Sequence, residues 1–201
     1  VLAAMTVAAA NEPKEEGFVR LFPKDGVPEG WLVRTWSDVS MPAEPSAKWI
    51  AKDGILNGST RGTWLISKRQ YSDLVLKFDF KLGPLGNSGC ALRAPLSGDP
   101  AFDGMELQMA DYRYNTSAKD SELTGGIYRA IAPLKQVYKP TKWNSYVVSL
   151  KGSRLHVTLN QPSEVPRLVA RLCLTPDTRW AAGQANCRLF DVGLSESEKE
   201  A

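Results

Sequence analysis

Leu74-Val75-Leu76-Lys77-Phe78-Asp79-Phe80-Lys81-Leu82 alternates apolar and charged residues from Leu76 onward. A strand turns successive side chains to opposite faces, so Leu74, Leu76, Phe78, Phe80 and Leu82 share one side. Lys77, Asp79 and Lys81 share the other. The stretch is therefore a strand with one face in a core and one in water. Similar runs lie on both sides of it. Tyr146 to Leu150 and Leu155 to Asn160 flank Lys151-Gly152-Ser153-Arg154, which reads as a hairpin with Gly-Ser at its tip. Trp49 to Gly58 reads as a second hairpin, with Asp53-Gly54 as the tight turn. Phe18 to Phe22, a segment from Trp31, Thr63 to Ser67, Cys90 to Arg93, Ile127 to Ile131 and Arg188 to Leu194 complete a set of short strands. Gly83 to Gly89 reads as a loop, and residues 112–126, polar and without period, as an ordered surface loop. No segment of useful length has a helical period.

The 13 Pro and 16 Gly fit many turns between short strands, which points to an all-β, two-sheet sandwich. At 201 residues the chain is long enough for one such domain with a full core. The net charge of +3 comes without a basic run or stripe, which argues against a nucleic-acid partner. No segment reads as a membrane span. Residues 1–10 are apolar and end in Ala8-Ala9-Ala10, ahead of polar Asn11 to Glu16. This is the pattern of a signal-peptide end, so residues 1–16 are read as a remnant and linker of an exported protein. Residues 17–194 form the domain and 195–201 an acidic tail. Export would permit a disulfide between Cys173 and Cys187, whereas Cys90 reads as a buried apolar residue. Residues 161–187 lose the alternation and are expected to be the least regular part of the domain.

Gly104-Met105-Glu106-Leu107-Gln108-Met109-Ala110-Asp111 carries the candidate chemistry. Met105, Leu107 and Met109 turn to the core, which leaves Glu106 and Gln108 together on the opposite face. An acid and an amide so placed can meet a polar ligand, although any half-solvated strand has the same pattern. Asp111 has the wrong parity for that face unless the strand bulges or ends near Ala110. His156, the only His, faces away from Leu155, Val157 and Leu159 and reads as a sheet-face residue. Trp49, Trp64, Tyr112, Tyr128 and Trp143 offer flat aromatic faces on which a ligand could stack, although most Trp and Tyr are core or rim residues. Tyr112 and Tyr128 are preferred because they flank the candidate site loop.

The order of these pieces resembles the 3-keto-disaccharide hydrolase family. The residues that carry it are Gly17-Phe18 with Leu21-Phe22, Gly30-Trp31, Trp49 with Asp53-Gly54-Ile55-Leu56, and Tyr71-Ser72-Asp73-Leu74 with Lys77-Phe78-Asp79-Phe80. Gly86-Asn87-Ser88-Gly89 with Leu92-Arg93 follows, then Gly104 to Gln108 with Asp111, and Thr124-Gly125-Gly126-Ile127-Tyr128. Lys139-Pro140, Trp143-Asn144 and the hairpin to Asn160 close the match, which spans residues 17–160. The resemblance implies a concanavalin A-like jelly roll with a sugar groove on its concave sheet. It implies action on 3-keto-disaccharides or 3-keto-glycosides, by hydrolysis or by C2 proton abstraction and elimination. A non-catalytic carbohydrate-binding module on the same fold is the alternative. After Asn160 the pattern departs: Gln161-Pro162 replaces a Gly turn, and Leu168 to Leu174 lacks the His that members carry in Gly-x-Ile-x-Leu-Gln-x-His.

Two reactions suit the groove. Ordinary glycoside hydrolysis needs two carboxyl groups, for which Glu106 and Asp111 are the pair at hand. A ketone at C3 acidifies the C2 proton, so elimination needs one base and a positive partner for the enolate. Glu106 is the expected base or cation ligand. Arg93, or a bound divalent cation, is the expected enolate stabiliser, with an Arg93–Glu106 ion pair as the structural alternative. Gln108, Asn87, Ser88, Tyr112 and Tyr128 are the expected substrate contacts.

Overall fold

The structure is a computed structural model that describes residues 17–58, 62–160, 170–173 and 186–194. In chain order its strands are β1 (Phe18–Val19), β2 (Trp31–Thr35), β3 (Trp49–Lys52), β4 (Ile55–Gly58), β5 (Thr63–Ser67) and β6 (Leu74–Lys81). They continue as β7 (Asn87–Ala91), β8 (Glu106–Ala110), β9 (Asn144–Lys151), β10 (Arg154–Leu159), β11 (Ala170–Cys173) and β12 (Asn186–Leu194). One turn of 3₁₀ helix, Asp120–Glu122, interrupts the long loop after β8. The expected signal-peptide remnant, the acidic tail and most of 161–187 lie outside the described residues, as do the side chains of Cys173 and Cys187. Residues 170–173, expected to be irregular, are a strand paired to β10.

The large sheet has the order β11-β10-β9-β6-β12-β4-β3, with β1 also paired to β12. The pairs β2-β5 and β7-β8 build the layer opposite, and every described strand pair is antiparallel. This is a jelly-roll β-sandwich of the concanavalin A-like kind. The alternation of residues 74–82 places β6 as expected. Leu76, Phe78, Phe80 and Leu82 are buried, and join Tyr146, Val148, Leu150, Leu155, Val157 and Leu159 in one core. Cys90, Leu107, Met109 and Ile127 meet them from the opposite layer. Cys90 is a buried free thiol whose burial, with Glu106 nearby, pushes its pKa up to about 12, so it stays protonated. A second cluster, Trp49, Ala51, Leu56 and Leu65, ties β3 and β4 to β2 and β5.

The hairpins form at their expected turns. Asp53 (φ 51°) and Gly54 (φ 72°) both take the left-handed conformation that a two-residue turn demands. Some boundaries differ. The first strand stops at Val19. β7 begins at Asn87, inside what reads as a loop, because its backbone pairs with β8 from Asn87↔Ala110 to Ala91↔Glu106. Residues 127–131 form a tight turn rather than a strand, with Ile127 bridged to both Leu107 and Ile131.

Candidate active site

β8 has backbone partners on both edges. β7 lies along one. On the other, Gln108 N–H donates to the Gly126 carbonyl at 2.9 Å and Tyr128 N–H to the Glu106 carbonyl at 2.8 Å. Leu107 and Met109 fill the core, so Glu106 and Gln108 must point the other way. There they line a cavity of about 200 Å³ with Asn87, Ser88, Gly89, Asp99, Phe102 and Tyr128, and with Trp36 and Trp64 from the loop and strand beside it.

Glu106 is 8% exposed. No described hydrogen bond or ion pair engages its carboxyl group. Its room comes from Gly89, where a Cβ would sit 1.7 Å from Glu106 Oε1. Burial, reinforced by the negative charge of Asp99, raises its pKa to about 8. Gln108 is oriented by its own backbone: the Met109 N–H donates to Oε1 at 2.9 Å, which leaves the amide N–H₂ as its free donor. Tyr128 is half-buried, and burial first, then Glu122, raises its phenol pKa, so it remains a donor. Phe102 stands edge-on to Tyr128 at 5.9 Å, and the Arg129 guanidinium lies near both rings. Asn87 is exposed at the rim. Ser88 lines the cavity as well, and its Oγ is buried without a hydrogen-bond partner.

Three expected residues fall elsewhere. Arg93 neither faces the cavity nor pairs with Glu106. The strand has ended at Ala91, and at Arg93 the backbone turns left-handed (φ 53°), so strand parity no longer applies. Its Nη2 donates to the carbonyls of Ser72 and Gly152 and lies 3.8 Å from Asp73. Asp111 keeps the core-side parity of Leu107 and Met109 and is fully buried outside the cavity. Arg113 Nε and Nη2 donate to its two carboxylate oxygens at 2.7 and 2.6 Å, and Tyr138 Oη donates at 3.3 Å. The Arg113 bonds hold the Asp111 carboxyl below its ordinary pKa, the wrong direction for a proton donor. Tyr112 is exposed outside the cavity, with the Arg113 guanidinium 5.7 Å from its ring. Of the other aromatic residues, Trp64 does line the cavity, whereas Trp49 is core and Trp143 sits under Lys81.

Asp99, Phe102 and Trp36 belong to the site and carry no sequence signal. All three lie in loops, where neither period nor parity assigns a direction. A divalent cation would find two carboxylates here, Glu106 and Asp99. No group of three His, Cys, Asp or Glu side chains that could hold a metal ion is found among the described residues.

Comparison with known proteins agrees with this architecture. Two crystal structures from Parabacteroides distasonis ATCC 8503, each named a candidate glycosyl hydrolase, share the fold. One aligns with a TM-score of 0.63 at 20% identity, over 90% of this chain and 95% of that one. Another aligns with a TM-score of 0.56 at 18% identity, over 90% of this chain and 84% of that one. No curated protein matches the chain. The model of one family does match, over residues 17–164, which include β1 to β10 and every residue of the cavity. On that match the chain belongs to the 3-keto-alpha-glucoside-1,2-lyase-like domain family.

Proposed function

We propose that the chain is an enzyme that cleaves glycosides oxidised to a ketone at C3, with Glu106 as the group that moves the proton. The observation that carries this reading is the Glu106 carboxyl itself: buried, without a described partner, and open to a cavity with its pKa near 8. A carboxyl group kept only for stability would be paired or hydrogen-bonded, as Asp111 is. A base works best when its pKa lies near the working pH, and a raised pKa makes the Glu106 carboxylate a stronger acceptor for a carbon-bound proton than an ordinary one.

The ketone at C3 makes the C2 proton acidic. The Glu106 carboxylate takes that proton, and the electron pair of the C2–H bond moves toward the C3 oxygen as an enolate. The enolate then re-forms the ketone and expels the glycosidic oxygen from C1, leaving a C1=C2 double bond. The proton now on Glu106 passes to the departing oxygen, so the alcohol leaves neutral and the carboxylate is restored. Water adds across C1=C2 if the free 3-keto sugar is the final product. Neutral donors replace the expected arginine as enolate partners: the Gln108 amide N–H₂ and the Tyr128 hydroxyl both line the cavity. Hydrogen bonds aimed at developing charge in a buried site contribute several kcal/mol to such a step, on the order of 3. Trp36, Trp64 and Phe102 supply apolar surface for the sugar ring.

The test is Glu106→Gln assayed on a 3-keto-glucoside. The change keeps the shape of the side chain and removes the base, so turnover should fall by ~10²–10⁴-fold. For the parent protein the rate should rise with pH toward about 8, as Glu106 ionises. Unchanged turnover in the variant would remove Glu106 from the chemistry. Sugar binding with no turnover in either form would make the chain a binding module.

A further inference from the structure

We propose that Asp99, carried by the loop between β7 and β8, is the positioning residue that sets the strength of Glu106: it holds a second negative charge in the same cavity and makes Glu106 a stronger proton acceptor. This inference rests on the function proposed above. It extends that reading to a residue outside the strand pattern.

The loop is built to hold Asp99 in place. The Asp99 N–H donates to Asp103 Oδ2 at 2.8 Å, and the Phe102 and Asp103 N–H groups donate to the Asp99 carbonyl at 3.0 and 2.7 Å. From the neighbouring loop, Asp38 Oδ1 accepts the Gly98 N–H at 2.9 Å, and the Val39 N–H donates to the Gly98 carbonyl. Gly98 takes a left-handed φ of 83°, and a Cβ there would sit 2.3 Å from Asp103 Oδ2. Asp99, thus fixed, is 8% exposed and lines the cavity with Glu106. Its Oδ1 accepts the Ala101 N–H at 3.0 Å, a bond that favours the ionised form. Glu106 has no such bond. Of two like charges lining one cavity, the one with the backbone donor keeps its charge and the other binds the proton.

The other titratable groups near Glu106 leave this field unopposed. Cys90, beneath it on β7, is a neutral thiol. Tyr128 is a neutral phenol, and Asp103 adds a negative charge behind Asp99. Arg129, a cation beside the Tyr128 ring, is paired to Glu122 at 3.1 Å. Asp99 itself has no ion-pair partner among the described residues. Both carboxyl groups titrate upward from their ordinary values, each mainly through burial, and Glu106 also through Asp99.

The experiment titrates Glu106 directly, without substrate. Protein labelled with ¹³C at glutamate carboxyl carbons is followed by NMR from pH 5 to 10, with the Glu106 signal assigned by its loss in Glu106→Gln. The parent signal should titrate near 8. In Asp99→Asn the amide oxygen still accepts the Ala101 N–H, so the turn is retained while the charge is lost. Its Glu106 midpoint should fall by ~1 pH unit. Asp99→Glu keeps the charge and should stay near the parent value. An unmoved midpoint in Asp99→Asn overturns the proposal. So does an equal fall in Asp99→Glu, which would mark a packing effect. A shifted titration with no turnover of a 3-keto-glucoside in the parent protein supports the pairing and removes the proposed function. Where turnover exists, the pH at which the rate rises should move down with the titration, and its plateau should drop as the base weakens.

Discussion

Glu106 fits its position only because residue 89 has no side chain. A Cβ on Gly89 would stand 1.7 Å from the Glu106 carboxyl oxygen and 2.5 Å from its Cγ, so the glutamate would have to leave its place. Gly89→Ala changes no reacting group, yet it should reduce turnover of a 3-keto-glucoside by ~10²-fold or more, the scale expected when a base is misplaced by about an ångström. Steady-state kinetics together with thermal unfolding would check this, since a fold still cooperative with activity lost is the expected pair of results. Full activity in that variant would show that Glu106 works from another rotamer. Asp111 and Arg93 give the converse lesson. Both have the chemistry of site residues, and each is consumed by other contacts: Asp111 by Arg113, Arg93 by the carbonyls of Ser72 and Gly152.

Among the elements, β12 (Asn186–Leu194) is the last described strand in sequence and lies in the middle of the large sheet. It pairs with β6 along its length, with β4 at Cys187↔Leu56 and with β1 at Phe18↔Gly193 and Val19↔Val192. Its own sequence shows that it is a strand, but pairing partners so distant in the chain leave no local mark. A chain ending at residue 185 would leave β6 with an open edge and β1 with no partner strand. That truncation should abolish cooperative thermal unfolding, whereas retention of a sharp transition would show the sheet to be complete without β12. In the full protein, amide exchange should be slowest in β6 and β9, which have partners on both edges, and fast across residues 112–118.

For the whole molecule the buried site is a stability cost that depends on pH. Glu106 holds its proton up to about 8 when folded, against 4.5 as its ordinary value. Between those values the folded state binds more protons than the unfolded state, so stability falls as pH rises through the window. Above both values the loss is complete. Asp111 acts with the opposite sign. Its folded pKa is depressed, so its contribution is present at neutral pH and is lost as pH falls below the ordinary carboxylate range. Glu106→Gln should therefore unfold at a higher temperature than the parent at pH 9, and at nearly the same temperature at pH 4. Each ~1 kcal/mol corresponds to ~2–4 °C for a chain of this size. Equal melting temperatures at pH 9 would mean that the Glu106 carboxyl is solvated in solution.

The sequence alone determined the strand class, the two hairpins, the inward set Leu76, Phe78, Phe80, Leu107 and Met109, and the outward pair Glu106 and Gln108. All of these follow from a period of two, which is local and survives in a single chain read without its partners. The tertiary structure decided what no period encodes. It brought Asp99, Phe102 and Trp36 from loops to the Glu106 face, and turned Arg93 away once its backbone left the strand. It also gave Gly89 its purpose, as the place where a neighbouring strand's carboxyl group lies. Loop residues take their directions from hydrogen bonds to distant segments, such as Gly98 to Asp38, and a burial-driven pKa is a property of the assembled site rather than of the residue.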